Sequence, residues 1–344
     1  MLQLYFKSIK IKIMKFKEVI GIDVGKLSND AIIHSNQHSF VFSNTKDGFK
    51  TLLRTVLKRV KCESTEILFV FEHTGIYSYP LSLFLQENGL SFVLVPGLEI
   101  KRSMGIQRGK NDKVDAKRIA LYAYRRLNEL KPSELPSETI VSLKRLLALR
   151  DHLVVQRASY KRNIVESGKF LKKTENKIFF QVQEKMMKEL TTQISKVDKE
   201  LEAIIQSDEK LAKQFELITS IRAVGKQTAM YMIAYTNGFT LFSDWRKFAS
   251  YAGTAPFPYQ SGISVHGRTK VNHLANKKFK SLLNLCAISS LTCNSEIKAY
   301  YDRKKLEGKN GMSIVNAIRN KILARIFAVI HRGTIYQQDY VYAA

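Results

Sequence analysis

Four carboxylates stand where divalent-metal chemistry could be built. Asp23 lies in GIDVGK, at the end of a short β-branched run, and Glu72 lies in FEHTG, directly after the apolar run ILFVF. Asp112 and Asp115 lie three apart in NDKVDAKR, at the start of a helical pattern, so both project from one helix face. The carboxyl ends of sheet strands are where side chains converge on a ligand. Four such groups from three segments can hold two hard cations. Mg²⁺ favours oxygen ligands and keeps several waters, which leaves room for phosphate oxygens and an attacking water. Each residue also has a plainer reading. Asp112 and Asp115 suit the N-cap and third position of the helix they begin, and Asp23 suits a turn before Gly25. Glu72 is harder to dismiss, because a charge after ILFVF is costly to bury unless it is paired or metal-bound.

The elements that would position these groups follow from apolar periodicity. Strands are expected over Glu18 to Val24, Asp30 to His34, Ser39 to Phe42, Ile67 to Phe71 and Phe92 to Val95. Helices are expected over Gly48 to Val60, Leu81 to Asn88 and about Asn111 to Leu130. Strand runs with crossover helices make residues 1–135 an α/β domain with a mixed sheet. Residues 1–13 read as an upstream extension before Met14. Pro132 and Pro136 then punctuate the chain, and its character changes. Over residues 136–213, Ile178, Val182, Met186, Leu190, Ile194, Leu201 and Ile205 recur among lysines and glutamates. That pattern predicts a helical hairpin or coiled-coil arm for self-association, with a helical bundle packing on its own domain as the equal alternative. Residues 214–344 read as mainly helical, with a glycine- and proline-rich loop from Gly253 to Gly267. Closing helices are expected over Asn276 to Leu291, Ser295 to Leu306 and Met312 to Ile330.

The charge balance is one-sided. Lys plus Arg number 56 against 30 Asp plus Glu, a formal net charge of +26, while 45% of residues are hydrophobic. Such a balance in a globular composition fits a polyanionic partner, because each phosphate contact releases condensed counterions. Three basic stretches sit beside the candidate chemistry. Lys101, Arg102, Arg108, Lys110, Lys113, Lys117 and Arg118 surround the last two aspartates. Gly225 and Lys226 belong to LITSIRAVGKQTAMYMIA, which resembles a helix-hairpin-helix whose backbone amides face a phosphate without reading sequence. Ala223 stands there where a glycine is common. Lys277, Lys278 and Lys280 form the third stretch. The best apolar run, Ile322 to Ile330, is interrupted by Arg325 and falls short of the roughly 20 residues of a membrane span. Cys62, Cys286 and Cys293 show no zinc-ligand spacing, and a reducing, cytoplasmic setting is expected.

GIDVGK, FEHTG and NDKVDA, in that order, resemble the RuvC-like domain of the insertion-sequence transposase family numbered one hundred and ten, with the Piv-type DNA invertases as relatives. The resemblance covers nearly the whole chain. It implies an RNase H-like fold with a DEDD set, here Asp23, Glu72, Asp112 and Asp115, holding Mg²⁺ (or Mn²⁺ in its place). It also implies that ASYAGTAPFPYQSG carries the serine nucleophile before a glycine, which is Ser261 here. Arg268 and Lys270 are then phosphate clamps. Relatives often carry two small hydroxyl residues before that glycine, whereas Gln260 occupies the first position here, and Ser264 is the nearest substitute. VNHLANKKFK departs from the family's more arginine- and glycine-rich stretch, although its lysines keep the charge.

The reading that follows is a DNA transposase or recombinase that cuts and rejoins DNA for mobile-element insertion. The resemblance further implies guidance by a structured non-coding RNA. A synaptic complex holding two DNAs needs a homo-dimer or homo-tetramer, acting beside the nucleoid. Two other readings stay open: a RuvC-like junction-resolving nuclease with an idle serine, and a non-catalytic DNA-binding protein from a decayed element.

Overall fold

The computed structural model describes residues 16–103, 112–261 and 265–337, and for residues 112, 113, 261, 265, 266 and 268 it describes the backbone alone. Residues 1–13, Arg108, Lys110 and Ser264 lie outside the described residues. The chain divides into two compact units, Met1–Leu135 and Pro136–Ala344.

The first unit is built on a five-stranded sheet of β1 (Glu18–Val24), β2 (Ser28–Ile33), β3 (Ser39–Ser43), β4 (Ile67–Glu72) and β5 (Ser91–Val95), in the order β3-β2-β1-β4-β5. The first three strands form an antiparallel meander, and β4 and β5 add to β1 in parallel. Parallel neighbours require crossovers, which α1 (Lys46–Arg59) and α2 (Tyr79–Glu87) supply. The alternation of side chains sorts the sheet into two faces. Ile20, Ile22, Ala31, Ile33, Phe69, Phe71 and Phe92 form one core with Phe49 and Leu52 of α1 and Leu81 and Leu85 of α2. Val19, Leu68, Val70, Val93 and Val95 face the other way. They pack with Ile100 of α3 (Gly97–Ser103) and with Ile119, Tyr122 and Ala123 of α4 (Asp112–Arg125). The α3 helix was not expected from the sequence, because seven residues behind a proline and a glycine carry too little periodicity. The outer edge of β5 is covered by the chain's own exit segment. The Ser133 amide donates to the Phe92 carbonyl at 2.7 Å, and the Leu94 amide donates to Ser133 Oγ at 3.0 Å.

The second unit is helical apart from one hairpin. Helices α5 (Glu138–Ser167) and α6 (Lys177–Gln206) pack along each other as an antiparallel pair. Their base enters a single core through Ile140, Leu143, Leu147, Leu201 and Ile205. That core also takes in α7 (Glu209–Thr219), α8 (Lys226–Thr236), α9 (Trp245–Tyr251), α10 (Lys277–Cys293), α11 (Ser295–Leu306) and α12 (Gly311–Arg332). Arg150 on α5 clamps Asp198 on α6 at 2.5 Å, and Gln227 on α8 donates to the same carboxylate at 2.8 Å. Towards the far end of α6 the buried positions are Phe180, Gln183, Leu190 and Ile194, while Ile178, Val182 and Met186 are exposed. The expected stripe thus leaves the interface. Residues four apart advance about 40° beyond a full turn at 3.6 residues per turn, so a strict four-residue repeat winds around its helix.

The segment expected to be a loop from Gly253 to Gly267 instead contains most of an antiparallel hairpin, β6 (Pro256–Ser261) and β7 (Val265–Val271). Its register runs from Pro256 opposite Val271 to Ser261 opposite Val265, with an irregularity between Phe257 and Tyr259. Among the described residues no helix is long and apolar enough to cross a membrane.

Candidate active site

Asp23 and Glu72 end the two central parallel strands. Ile22 is in register with Phe71, so Asp23 and Glu72 occupy the next position on neighbouring strands, whose spacing is about 4.8 Å. Both lie two residues beyond a registered pair, Gly21 and Val70, on the α4 face of the sheet. The antiparallel partner adds a third carboxylate that the sequence reading did not single out. Asp30 on β2 is the direct register partner of Asp23, and its near neighbour Ile32 packs on Ala116 and Ala120 of α4. Like charges directly opposite on a sheet repel, so each of these two carboxylates calls for a compensating partner. The only sequence signal for Asp30 was an acidic residue opening a β-branched run, which carries no register.

Two glycines set the close approaches around this corner. A Cβ at Gly21 would lie 2.5 Å from both the Ala116 carbonyl oxygen and the Ala120 amide nitrogen, so only glycine lets α4 rest on β1. Position 112 opens α4 one turn before Ala116, and Asp115 is described and half-buried there. Its carboxylate accepts from Arg118 Nη1 at 2.6 Å, so that arginine serves an aspartate rather than standing free. At the other side, a Cβ at Gly97 would overlap Glu72 Oε1 and lie 2.8 Å from Oε2, so the carboxylate fills the space that glycine leaves. Helix α3 is tied to α4 in turn: Tyr122 donates to Glu99 Oε1 at 2.6 Å, and Arg126 pairs with the same oxygen at 3.2 Å. Burial and then the Glu99 carboxylate push the Tyr122 phenol up to about 12, so it remains a donor through the physiological range.

The donor set fits a hard cation in kind, with oxygen donors from adjoining strands on one face. Among the described residues no three acidic, histidine or cysteine side chains stand close enough to hold one ion. The fourth carboxylate, Asp112, is described by its backbone alone. The Gly97 contact gives a test. Gly97→Ala meets the flexible end of Glu72 and not backbone, so thermal stability should stay within about 0.5 kcal/mol. Any affinity of this carboxylate for a divalent cation should nevertheless fall about tenfold as it swings away. Paired melting and Mn²⁺-titration assays check this.

Around the first unit's site, Lys101 and Arg102 are exposed on the last turn of α3, and Lys117 is exposed on α4. Lys113 is described by its backbone only.

In the second unit Ser261 is the last residue of β6, at the end of the hairpin away from Pro256 and Val271, and Arg268 and Lys270 lie on the returning strand. Lys277 is exposed at the start of α10 and Lys280 is half-buried. Lys278 is committed elsewhere. It pairs with Asp151 of α5 and sits 5.0 Å from the centre of the Tyr231 ring, while Tyr231 also donates to Asp151. Burial, followed by that hydrogen bond, pushes the Tyr231 phenol far above its usual range. This trio joins α5, α8 and α10, and it explains why Lys278 does not behave as a surface cation. Asp151→Ala would strand both donors and is expected to cost about 1–2 kcal/mol in thermal unfolding, reduced from the buried value because the pair is partly solvated.

The α7–α8 connection has the geometry of a tight hairpin between helices. Ala223 adopts a φ of 71°, which accounts for the glycine usual at that position, and Gly225 caps α8 with open space around it. Lys226 points back to Glu202 at 2.9 Å in a largely exposed pair. The amides of Gly225 and the first turn therefore carry more of any phosphate contact than its ammonium does.

Two family models match this chain. A transposase model of the DEDD, IS110 type spans residues 20–174, and the model described as Transposase IS116/IS110/IS902 family spans residues 215–302. The first takes in all four carboxylates, and the second takes in the helical hairpin and Ser261. The pilin gene-inverting protein of Moraxella bovis is 27% identical over 327 residues, covering 92% of this chain and 97% of the relative. Its counterpart from Moraxella lacunata shows the same 27% over 327 residues. An uncharacterized protein of insertion element IS110 from Streptomyces coelicolor is 29% identical over 121 residues, covering 35% of this chain and 30% of that protein. The family models and the relatives together define an enzyme of DNA rearrangement, a transposase or DNA invertase that catalyses DNA cleavage and rejoining. The chain carries two transposase domains of the IS110 family, over residues 20–174 and 215–302.

Proposed function

We propose that this enzyme cuts and rejoins DNA with two centres, a metal-holding carboxylate set and a serine nucleophile. The observation that carries the reading is the pairing of Asp23 and Glu72 at the ends of adjacent central strands, on the face that α4 covers. The strand order β3-β2-β1-β4-β5, with an antiparallel meander and two parallel additions, supports an RNase H-like unit over residues 1–135. Asp23, Glu72, Asp112 and Asp115 would hold Mg²⁺, with Asp30 beside them. A divalent cation there supplies Lewis-acid polarisation of a phosphoryl oxygen. Ser261 Oγ attacks the phosphorus of one phosphodiester, a phosphoserine bond forms, the bond to the sugar oxygen breaks, and the departing hydroxyl takes up a proton. A second sugar hydroxyl then attacks the phosphoserine and returns the serine unchanged. Phosphate contacts fall to Lys101, Arg102 and Lys117 in the first unit, and to Lys270, Lys277, Lys280 and the Gly225 amide in the second. Inversion of a DNA segment, as the name of the Moraxella relatives states for them, is one outcome of such exchange.

A structured RNA partner remains part of the reading through the family likeness. Self-association of the α5–α6 arms is supported by the exposed Phe170, Ile178 and Val182. The test is a nicked suicide substrate carrying the element's end, incubated with Mg²⁺ and with or without its flanking transcript. A protein–DNA adduct mapping by mass spectrometry to the peptide containing Ser261 is expected. Joined product with no adduct at any stage would overturn the serine centre.

A further inference from the structure

The base of the β6–β7 hairpin, α10 and α12 enclose a recess of about 930 Å³ whose walls carry Lys270, Lys280, Arg319 and Lys321 and no acidic residue. Arg319 is the unusual member. It is 5% exposed, yet its guanidinium is held only by neutral amide oxygens, Asn284 Oδ1 at 2.5 Å and Asn316 Oδ1 at 3.3 Å. Its Nε has no hydrogen-bond partner, and no carboxylate among the described residues pairs with it. Other deeply set arginines of this unit are neutralised, Arg150 by Asp198 and Arg325 by Glu296. A buried cation without a counter-charge costs several kcal/mol, and a recess whose other charged residues are also cations compounds that cost. Lys321 lies 4.5 Å from the centre of the Tyr300 ring, which steadies its ammonium at the wall without discharging it.

We propose that this recess binds a backbone phosphate of the DNA strand flanking the exchanged bond, with Arg319 as its positioning residue. The guanidinium fork suits phosphate, and contacts of this kind fix the register of a strand without reading its sequence. The position follows from the hairpin. Pro256 lines the recess and Ser261 ends the same strand five residues on, roughly 17 Å away at strand rise. A duplex strand advances 3.4 Å per nucleotide, so the held phosphate lies about five nucleotides from the bond at Ser261. That offset rests on the serine reading; the anion site itself does not.

The test uses the full chain in a Ser261→Ala background, so that binding is read without turnover. The affinity of a labelled duplex carrying the element's end is measured against salt. Arg319→Gln is expected to lower the slope of log affinity on log salt by about 0.9, the release expected for one phosphate contact. Lys280→Gln with Lys321→Gln, at half-buried positions that tolerate exchange, should lower it by about the same amount, since all three cations serve one phosphate, and carries the test if Arg319→Gln does not fold. A single neutral methylphosphonate moved along the duplex should weaken the parent protein several-fold about five nucleotides from the exchange point, and should not weaken Arg319→Gln further. Unchanged slopes, or no position coupled to Arg319, overturn the proposal. So does a loss confined to an RNA of the same sequence, or equal competition by inorganic phosphate. If the recess variants lose slope while Ser261→Ala still joins strands, the recess stands and the serine reading falls.

Discussion

Ser261→Ala is expected to lower strand joining by about 10³- to 10⁴-fold and to abolish the covalent adduct, with DNA binding retained. The size follows from the role. A nucleophile that forms a bond in the transition state has no substitute in the alanine variant, whereas a residue that only steers the strand costs far less. The hairpin makes the expectation local to one position. Ser261 closes the ladder of β6 opposite Val265, so its backbone is fixed, and Gln260 beside it is opposite His266. Gln260 has no nucleophilic oxygen, and Gln260→Ala should therefore stay within a few-fold of the parent. Suicide-substrate assays on Ser261→Ala, Gln260→Ala and Ser264→Ala check the assignment. An adduct persisting in Ser261→Ala and vanishing in Ser264→Ala would move the nucleophile.

Gly21→Ala should damage both stability and catalysis, although the change adds only one methyl group. The new Cβ would meet backbone atoms of α4, the Ala116 carbonyl and the Ala120 amide, each at 2.5 Å. Backbone cannot rotate away as a side chain can, so the helix must retreat from β1. Overpacking of this kind costs about 1–3 kcal/mol. The helix also carries Asp112 and Asp115, and a shift near 1 Å at a reacting centre costs about 10²-fold. Ala120→Gly in the same chain removes only the Cβ contact at 2.7 Å and leaves both backbone contacts, so rescue should be partial. Melting temperature and metal-dependent cleavage are the measurements. Unchanged cleavage in a protein melting several degrees lower would separate α4 from the carboxylate site.

The sheet of the first unit was legible because its strands are β-branched or aromatic runs bounded by turn residues. The observed bounds of β1, β3, β4 and β5 lie within a residue of those read from the sequence, and β2 starts two residues earlier. The β6–β7 hairpin was read as a loop for a physical reason. PFPYQS carries two prolines and no apolar alternation, and its described side chains are partly or fully exposed, so nothing in its pattern marks a buried face. Asp30 and Gly97 were out of reach in a different way, since their importance lies in register and in the shape of a neighbour. The recess is further still from the sequence. Its cations come from four separated positions, and Arg319 sits in α12 within what read simply as an apolar isoleucine stripe. Lys278 shows the converse, a lysine in a basic run that tertiary packing turns inward to Asp151.

The exit segment around Ser133 decides where the first unit can be separated from the rest. It is laid along β5, and Leu135 is fastened to α2 through Gln86 Oε1 at 2.8 Å. A version cut after Leu130 would leave a bare row of amides and carbonyls along Ser91–Val95, which invites strand-to-strand aggregation. A version carried through Leu135 keeps that flank zipped shut, and the few residues between the two cut points therefore govern whether the isolated unit remains monodisperse.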